Sequence, residues 1–216
     1  MRPAGSRWLT VGLVAVIALG LVVLGGGLAV ALGIGRDDAP STDSVDAGFA
    51  RDMSAHHLQG VEMANLVPER STDPEVRQLA FDIAETQQNQ VGRMQGWLAL
   101  WGLPPTGGDT MARMGSDAGH AGHAADAPGD LMPGMATESE LAELRSLSGT
   151  EFDVEFLRLM IRHHQGGYEM ARYAAGHADV PSVATLAGTI ADTQTAEVAT
   201  MQAMLAARGG TPLAAP

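Results

Sequence analysis

The sequence contains no cysteine and no lysine. Without cysteine it has no disulfides, no thiolate metal site, no thiol nucleophile and no residue for lipid attachment behind a signal sequence. Without lysine, all 13 basic residues are arginine, set against 25 acidic residues for a net charge of −12. Ten of the arginines and every acidic residue lie after position 36. No basic block offers phosphates a docking surface, so nucleic-acid binding is disfavoured. An anionic membrane surface repels the same region. Aromatic residues are scarce at 4%, so a core must be assembled from Ala, Leu, Val and Met. Two residue types stand out instead: 12 methionines, and seven histidines that fall mostly in pairs. A length of 216 residues suits one domain with an appendage.

The appendage is N-terminal. Trp8 to Gly35 is a run of 28 residues without a charge, and roughly 20 suffice to span a bilayer. Arg2 and Arg7 precede the run, and Asp37 and Asp38 follow Arg36. The positive-inside tendency places residues 1–7 in the cytoplasm, 8–35 across the membrane as an anchor, and 36–45 outside as a linker. The competing reading is a signal peptide cleaved near Ala31, after Ala29-Val30-Ala31, which would release a secreted protein. The apolar run exceeds the roughly 7–15 residues of a signal core, which favours the uncleaved anchor.

An internal repeat organises residues 46–216. Segments 49–105 and 156–212 align without a gap at an offset of 107, with 24 of 57 positions identical. Each copy reads as a helical hairpin. In the first, a helix runs from about Asp46 to Leu66, and a second begins at Asp73-Pro74-Glu75, where a capping Asp, a first-turn Pro and an acidic residue mark a helix start. It should stop near Gly102, before Pro104-Pro105. The second copy gives helices from about Thr150 to Gly176 and from Pro181 to Arg208, ended by Gly209-Gly210. Thr137-Glu138-Ser139-Glu140 resembles a capping box for a short extra helix to about Leu147. Two hairpins with wide apolar stripes predict an all-α four-helix bundle, since one repeat cannot bury its apolar face alone. Between the copies, residues 103–136 are rich in Gly, Ala, Asp and Pro and read as a mobile loop.

The residues that face inward carry the chemistry. On a helical wheel, Phe49, Met53, His56, His57, Gly60, Met63 and Ala64 share one broad face. Phe156, Met160, His163, His164, Gly167, Met170 and Ala171 do the same in the second copy. The stripes of the partner helices hold Ile83, Gln87, Met94 and Leu98, then Ile190, Gln194, Met201 and Leu205. Glu62 and Glu169 fall on the opposite side, near Arg51 and Arg158. A buried, unpaired polar group costs about 1–3 kcal/mol. Two consecutive histidines, twice, on the core side of a bundle are therefore costly unless something binds them. Any single Met is better explained as core filling. Imidazole nitrogen with thioether sulfur suits copper: soft sulfur for Cu(I), imidazole for either oxidation state. Zinc accepts the histidines but gains little from methionine. The candidate ligands are His56, His57, His163 and His164 with Met53, Met63, Met160 and Met170. Gln87, Gln194, Met94, Met201, Glu62, Glu169 and Glu197 form a possible supporting set, with Gln87 or Gln194 expected to bond an imidazole. In the loop, Met111 and Met114, His120 and His123, and Met132 and Met135 are three pairs at spacing three, suited to wrapping an ion. The alternative for the loop is a solvated linker of biased composition.

These paired segments resemble the family catalogued as domain of unknown function 305. Its hallmark is an HH pair followed within a few residues by [DE]-M-A, then a downstream helix with Gln and Met. Here that is His56-His57 with Glu62-Met63-Ala64, and His163-His164 with Glu169-Met170-Ala171, with Gln87, Met94, Gln194 and Met201 downstream. Beyond that Gln the family often carries a Glu; this chain has Gln90 in the first half and Glu197 in the second. The resemblance covers most of residues 46–210. It implies a ferritin-like four-helix fold in an extracytoplasmic protein, and some members bind copper and support copper tolerance.

The leading expectation is a membrane-anchored extracytoplasmic metal-binding protein, not an enzyme, with copper as its ion, for sequestration, buffering or hand-off. Its partners would be the metal ion and, through the N-terminal helix, the membrane; a protein partner or homo-oligomer stays open. The first rival is a non-catalytic structural or accessory subunit of a membrane complex. The second is a ferritin-like di-iron oxidoreductase. Such a site wants several inward carboxylates and Glu-x-x-His elements on two helices, and neither half has that element.

Overall fold

The computed structural model describes residues 5–31, 39–107 and 131–215. Contacts divide the chain into two units, Met1–Ala39 and Pro40–Pro216. Among the described residues the first unit holds one helix, α1 (Gly5–Ala31). Its stretch Trp8–Ala29 is long and apolar enough to cross a membrane. Residues 32–38, which hold the end of the expected anchor and the start of the linker, lie outside the described residues.

The second unit is all helical among its described residues: α2 (Val45–Arg70), α3 (Pro74–Leu100), α4 (Glu138–Ser146), α5 (Gly149–His177) and α6 (Pro181–Ala207). The caps explain the starts. Ser44 caps α2 through its hydroxyl and Asp73 caps α3 through its carboxylate. Thr137 and Glu140 form the reciprocal capping box of α4. The start of α6 lacks a side-chain cap of its own. Asp46, fully buried in α2, supplies one from across the bundle, accepting the N–H of Val180 at 2.9 Å and of Asp179 at 3.3 Å. Helix α2 continues past the expected end at Leu66 and contains Pro68. The proline sits in the last turn, where its missing N–H removes one bond and the remaining turn still closes through Ser71 N–H to Val67.

Helix α2 packs on α3, α5 packs on α6, and the two hairpins meet along α2 and α5, with α4 against α5. The core separates into two apolar clusters. One takes the first half of α2 (Phe49, Met53) together with the last half of α5 (Met170, Ala174), so α2 and α5 run antiparallel. The other takes the end of α2 (Met63, Val67) with the start of α5 (Phe152, Phe156, Met160). Each cluster holds three equivalent methionines: Met53, Met94 and Met170 in one, Met160, Met201 and Met63 in the other. Two come from one hairpin and the third from its partner, so neither hairpin completes a cluster alone.

The end of the interhairpin segment is packed, against the expectation of a loop with little to bury. Residues 131–136 form a strap. Met132 and Ala136 are buried, Met132 within the Met53 cluster, and Met135 packs against that cluster. Gln59 grips the strap twice, donating from its amide to the Ala136 carbonyl at 2.9 Å and accepting the Ala136 N–H at 2.7 Å. Gly134 has φ +79° and passes so close to α5 that a Cβ there would lie 2.4 Å from the Arg162 carbonyl oxygen. A Cβ on Gly166 would lie 2.0 Å from the Pro133 carbonyl oxygen. Gln59 and Gly166 occupy the same position of the two repeats: one reaches for the strap, the other clears space for it.

Candidate metal centre

A polar layer separates the two apolar clusters. It takes His56 and His57 from α2, Gln87 and Gln90 from α3, His163 and His164 from α5, and Gln194 with Glu197 from α6. All four imidazoles are fully buried. Adjacent helical residues diverge by about 100°, and the two members of each pair accordingly have different neighbours. His56 and His163 face each other across the α2–α5 contact, with ring centroids 3.8 Å apart. His57 and His164 turn toward the second helix of their own hairpin.

Each Nε2 meets an acceptor. His57 donates to Gln90 Oε1 at 2.7 Å and His164 to Glu197 Oε2 at 2.8 Å. His163 donates to the His56 carbonyl at 2.9 Å. The repeat would have His56 donate in return to the His163 carbonyl, but it donates instead to Pro133 of the strap at 3.2 Å. Carbonyl, amide and carboxylate oxygens only accept, so these bonds assign a proton to Nε2 in all four rings, and each ring in its neutral form then carries a lone pair on Nδ1. All four Nδ1 atoms are buried without a hydrogen-bond partner, as are Gln87 Oε1 and Gln194 Oε1.

Three of the rings, His56, His57 and His163, are held neutral. Burial is the largest cause and lowers His56 to about 4, against a raising bond to Pro133. Burial, then the neighbouring His56, lowers His57 to about 3. His163 falls well below the usual imidazole value, first through burial and then through the other three histidines. Neutral imidazole with a free Nδ1 is the form that ligates a metal.

The expected bond from an imidazole to Gln87 or Gln194 is replaced by the bonds to Gln90 and Glu197, one turn further along. Gln87 and Gln194 lie instead over the glycines. A Cβ on Gly60 would meet Gln87 Oε1 at 2.3 Å and His163 Cε1 at 3.1 Å. A Cβ on Gly167 would meet Gln194 Nε2 at 2.6 Å and His56 Cε1 at 3.0 Å. The two glycines let an amide and an imidazole approach the helix backbone together. Met53, Met63, Met94, Met160, Met170 and Met201 are all buried in the flanking clusters.

Glu62 and Glu169 lie outside the layer, and their expected neighbours are also different. Glu62 pairs with Arg145 of α4 and Glu169 with Arg172 at 3.5 Å. Arg51 is tied to the backbone of Pro104 and to Thr42, and Arg158 to Glu155. Of the candidate loop ligands, Met111, Met114, His120 and His123 lie outside the described residues. Met132 and Met135 belong to the strap and have a packing reason for their place, which the sequence pattern alone does not give them.

Three contributors were missed in the sequence: the Pro133 carbonyl, the Gln59–Gly166 position, and Gly60 with Gly167 as spacers. The repeat alignment carries signals for two of them. Gly60 and Gly167 coincide in register, and Gln59 opposite Gly166 is one of three departures between residues 56–64 and 163–171. Among the described residues, no three His, Asp or Glu side chains group into a ready-made ligand set. An ion taken up here would draw on imidazole and sulfur together.

Residues 46–205 match the family described as domain of unknown function (DUF305). Among solved structures, a DUF305 protein of Streptomyces coelicolor described as secreted shares 43% identity over 81% of this chain and 99% of its own, with a TM-score of 0.72. A DUF305 fragment from Deinococcus radiodurans shares 34% over 78% of this chain and 99% of its own, with a TM-score of 0.63. CopM in its Cu(II)-bound form shares 27% over 76% of this chain and 97% of its own, with a TM-score of 0.56. Among curated proteins none matches. A match over most of the chain, together with these relatives, establishes that the protein belongs to the DUF305 family.

Proposed function

We propose that the protein is a membrane-anchored, extracytoplasmic metal-binding protein that sequesters, buffers or hands off copper. The observation that carries this reading is the set of four buried Nδ1 lone pairs with no hydrogen-bond partner, in a layer bounded on both sides by methionines. Each such atom costs about 1–3 kcal/mol when left unpaired, and a cation offsets that cost. His56, His57, His163 and His164 would supply nitrogen, and Met53, Met63, Met160 and Met170 sulfur. That donor set is soft and suits copper in either oxidation state. CopM, a relative in fold at 27% identity, binds Cu(II), which supports the same choice here. The layer carries one carboxylate among the described residues, Glu197, where a di-iron oxidase needs several. The bundle therefore reads as a binding module in which the protein orients rings, excludes water and holds the proton on Nε2.

Anchoring rests on the apolar stretch Trp8–Ala29 of α1 and on Arg2 and Arg7, which precede that stretch. A mature N-terminus beginning near Leu32 would refute the anchor. The copper reading is tested by Cu(I) competition against a chromophoric chelator. The comparison is between the protein lacking residues 108–130 and the same protein with Ala at all four histidines. The substituted protein should bind far more weakly. Equal affinities would show that the histidines are structural.

A further inference from the structure

Apart from the His56 bond to Pro133, the two halves of the polar layer carry the same residue in every position except one. His57 and His164 are equivalent, fully buried, and bonded through Nε2 to the residue 33 places further on. In the first half that residue is Gln90, a buried neutral amide. In the second it is Glu197, a carboxylate whose side chain keeps 22% of its surface exposed. A carboxylate accepting Nε2–H pushes electron density through the ring to Nδ1, fixes the tautomer and strengthens that nitrogen as a ligand. An amide oxygen fixes the tautomer but brings no net charge. The carboxylate also places a negative charge one ring away from any cation on Nδ1, and the first half has no counterpart.

We propose that Glu197 is a positioning residue that makes the His164 half of the layer the first to take a metal cation, leaving the His57 half, on Gln90, as the second and weaker one. This rests on reading the histidine layer as a metal centre. The centre is then two unequal places, one that fills first and one that fills only when ions are abundant. That is the property expected of a protein that retains one ion and exchanges another.

The test uses the full chain in detergent with nitrogen-15-labelled histidine, titrated with Ag(I) as a diamagnetic soft cation. Ring signals are resolved residue by residue, so His120 and His123 do not confuse the result. In the wild type, the His164 Nδ1 signal should respond before that of His57, with affinities separated by about 10- to 100-fold, the usual effect of a supporting carboxylate. Glu197→Gln keeps an oxygen acceptor of the same shape and should bring the two halves together at the weaker level. Gln90→Glu should bring them together at the tighter level. Without metal, the His164 Nε2 proton should lie further downfield than that of His57, and Glu197→Gln should remove the difference. If His57 and His164 respond together in the wild type, or if Glu197→Gln leaves their order intact, the inference is overturned while the metal reading stands. If no layer histidine responds to Ag(I) or Cu(I), the metal reading fails and this inference with it.

Discussion

Acidification should weaken the metal-free bundle steeply and at an unusually high pH. An unfolded imidazole titrates near its ordinary value of 6.5, whereas folding holds His56 at about 4 and His57 at about 3. Between those values the unfolded chain binds more protons than the folded one, so stability falls as pH falls. The stabilisation is fully present above about pH 6.5 and declines by at most about 1.4 kcal/mol per pH unit for each ring. From pH 7 to pH 5 each of these two rings removes about 2 kcal/mol, and the pair about 4 kcal/mol. His163 shifts in the same direction and adds to the loss. Domains of this kind are stable by only about 5–15 kcal/mol, so the effect is large. Glu140 and Asp73, both held below the usual carboxylate range by arginines, do not confuse it. Glu140, which the Arg162 guanidinium lowers to about 2, loses its contribution only as pH falls below about 4.5 and through about 2. The assay is urea unfolding of the chelated protein at pH 7 and pH 5, followed by helical circular dichroism. A loss smaller than about 1 kcal/mol, or a gain, would refute the claim that these rings are buried and neutral. A saturating metal should remove the unpaired lone pairs and shift the transition to lower pH.

Other outcomes follow from single interactions. Gly166→Ala places a methyl against the Pro133 backbone oxygen, so the strap should lift and residues 131–136 become sensitive to limited proteolysis while helix content is retained. Asp46→Ala removes the cap that α2 supplies to α6 and should lower stability by about 1–2 kcal/mol in thermal unfolding. Deleting residues 111–130 should leave the metal-free melting temperature close to wild type. Extending the deletion to 136 should lower it, because it removes Met132 and the Gln59–Ala136 pair; equal melting temperatures would mean the strap contributes nothing.

The fold was legible because two kinds of signal agreed. The repeat showed that the unit is a hairpin used twice, and Asp73-Pro74 and Thr137–Glu140 marked starts through local chemistry that tertiary packing does not override. The layer was legible for the same reason: HH on an apolar stripe, twice in register, has few places to go. Its internal wiring was less so. A wheel places Gln87 and Gln90 on one face, three residues apart, and only the packing of α3 on α2 decides which of them His57 meets. The strap was hidden because Met132–Ala136 follows a long compositionally biased stretch and looks like more of it. What distinguishes it is not its own sequence but the groove it occupies, between Gln59 on α2 and Gly166 on α5. The start of α6 was hidden likewise, since its cap comes from Asp46, more than 130 positions earlier.

The layer of imidazoles has a consequence for how the helices are aligned. A core of Ala, Leu, Val and pliable Met would tolerate one helix sliding past another by a turn, about 5.4 Å, because hydrocarbon packing given up at one level is recovered at the next. The bonds from His57 to Gln90 and from His164 to Glu197 are not recovered so freely. A one-turn slide that brings Met94 and Met201 to the rings would leave each Nε2–H without an oxygen acceptor at about 1–3 kcal/mol apiece, and a slide the other way would bring Gln87 and Gln194 to the rings only by withdrawing them from Gly60 and Gly167. The same rings offered here as ligands therefore act as a vernier that leaves the bundle one permitted setting. A version with Leu at all four histidines, at Gln90 and at Glu197 would gain melting temperature and lose that single setting.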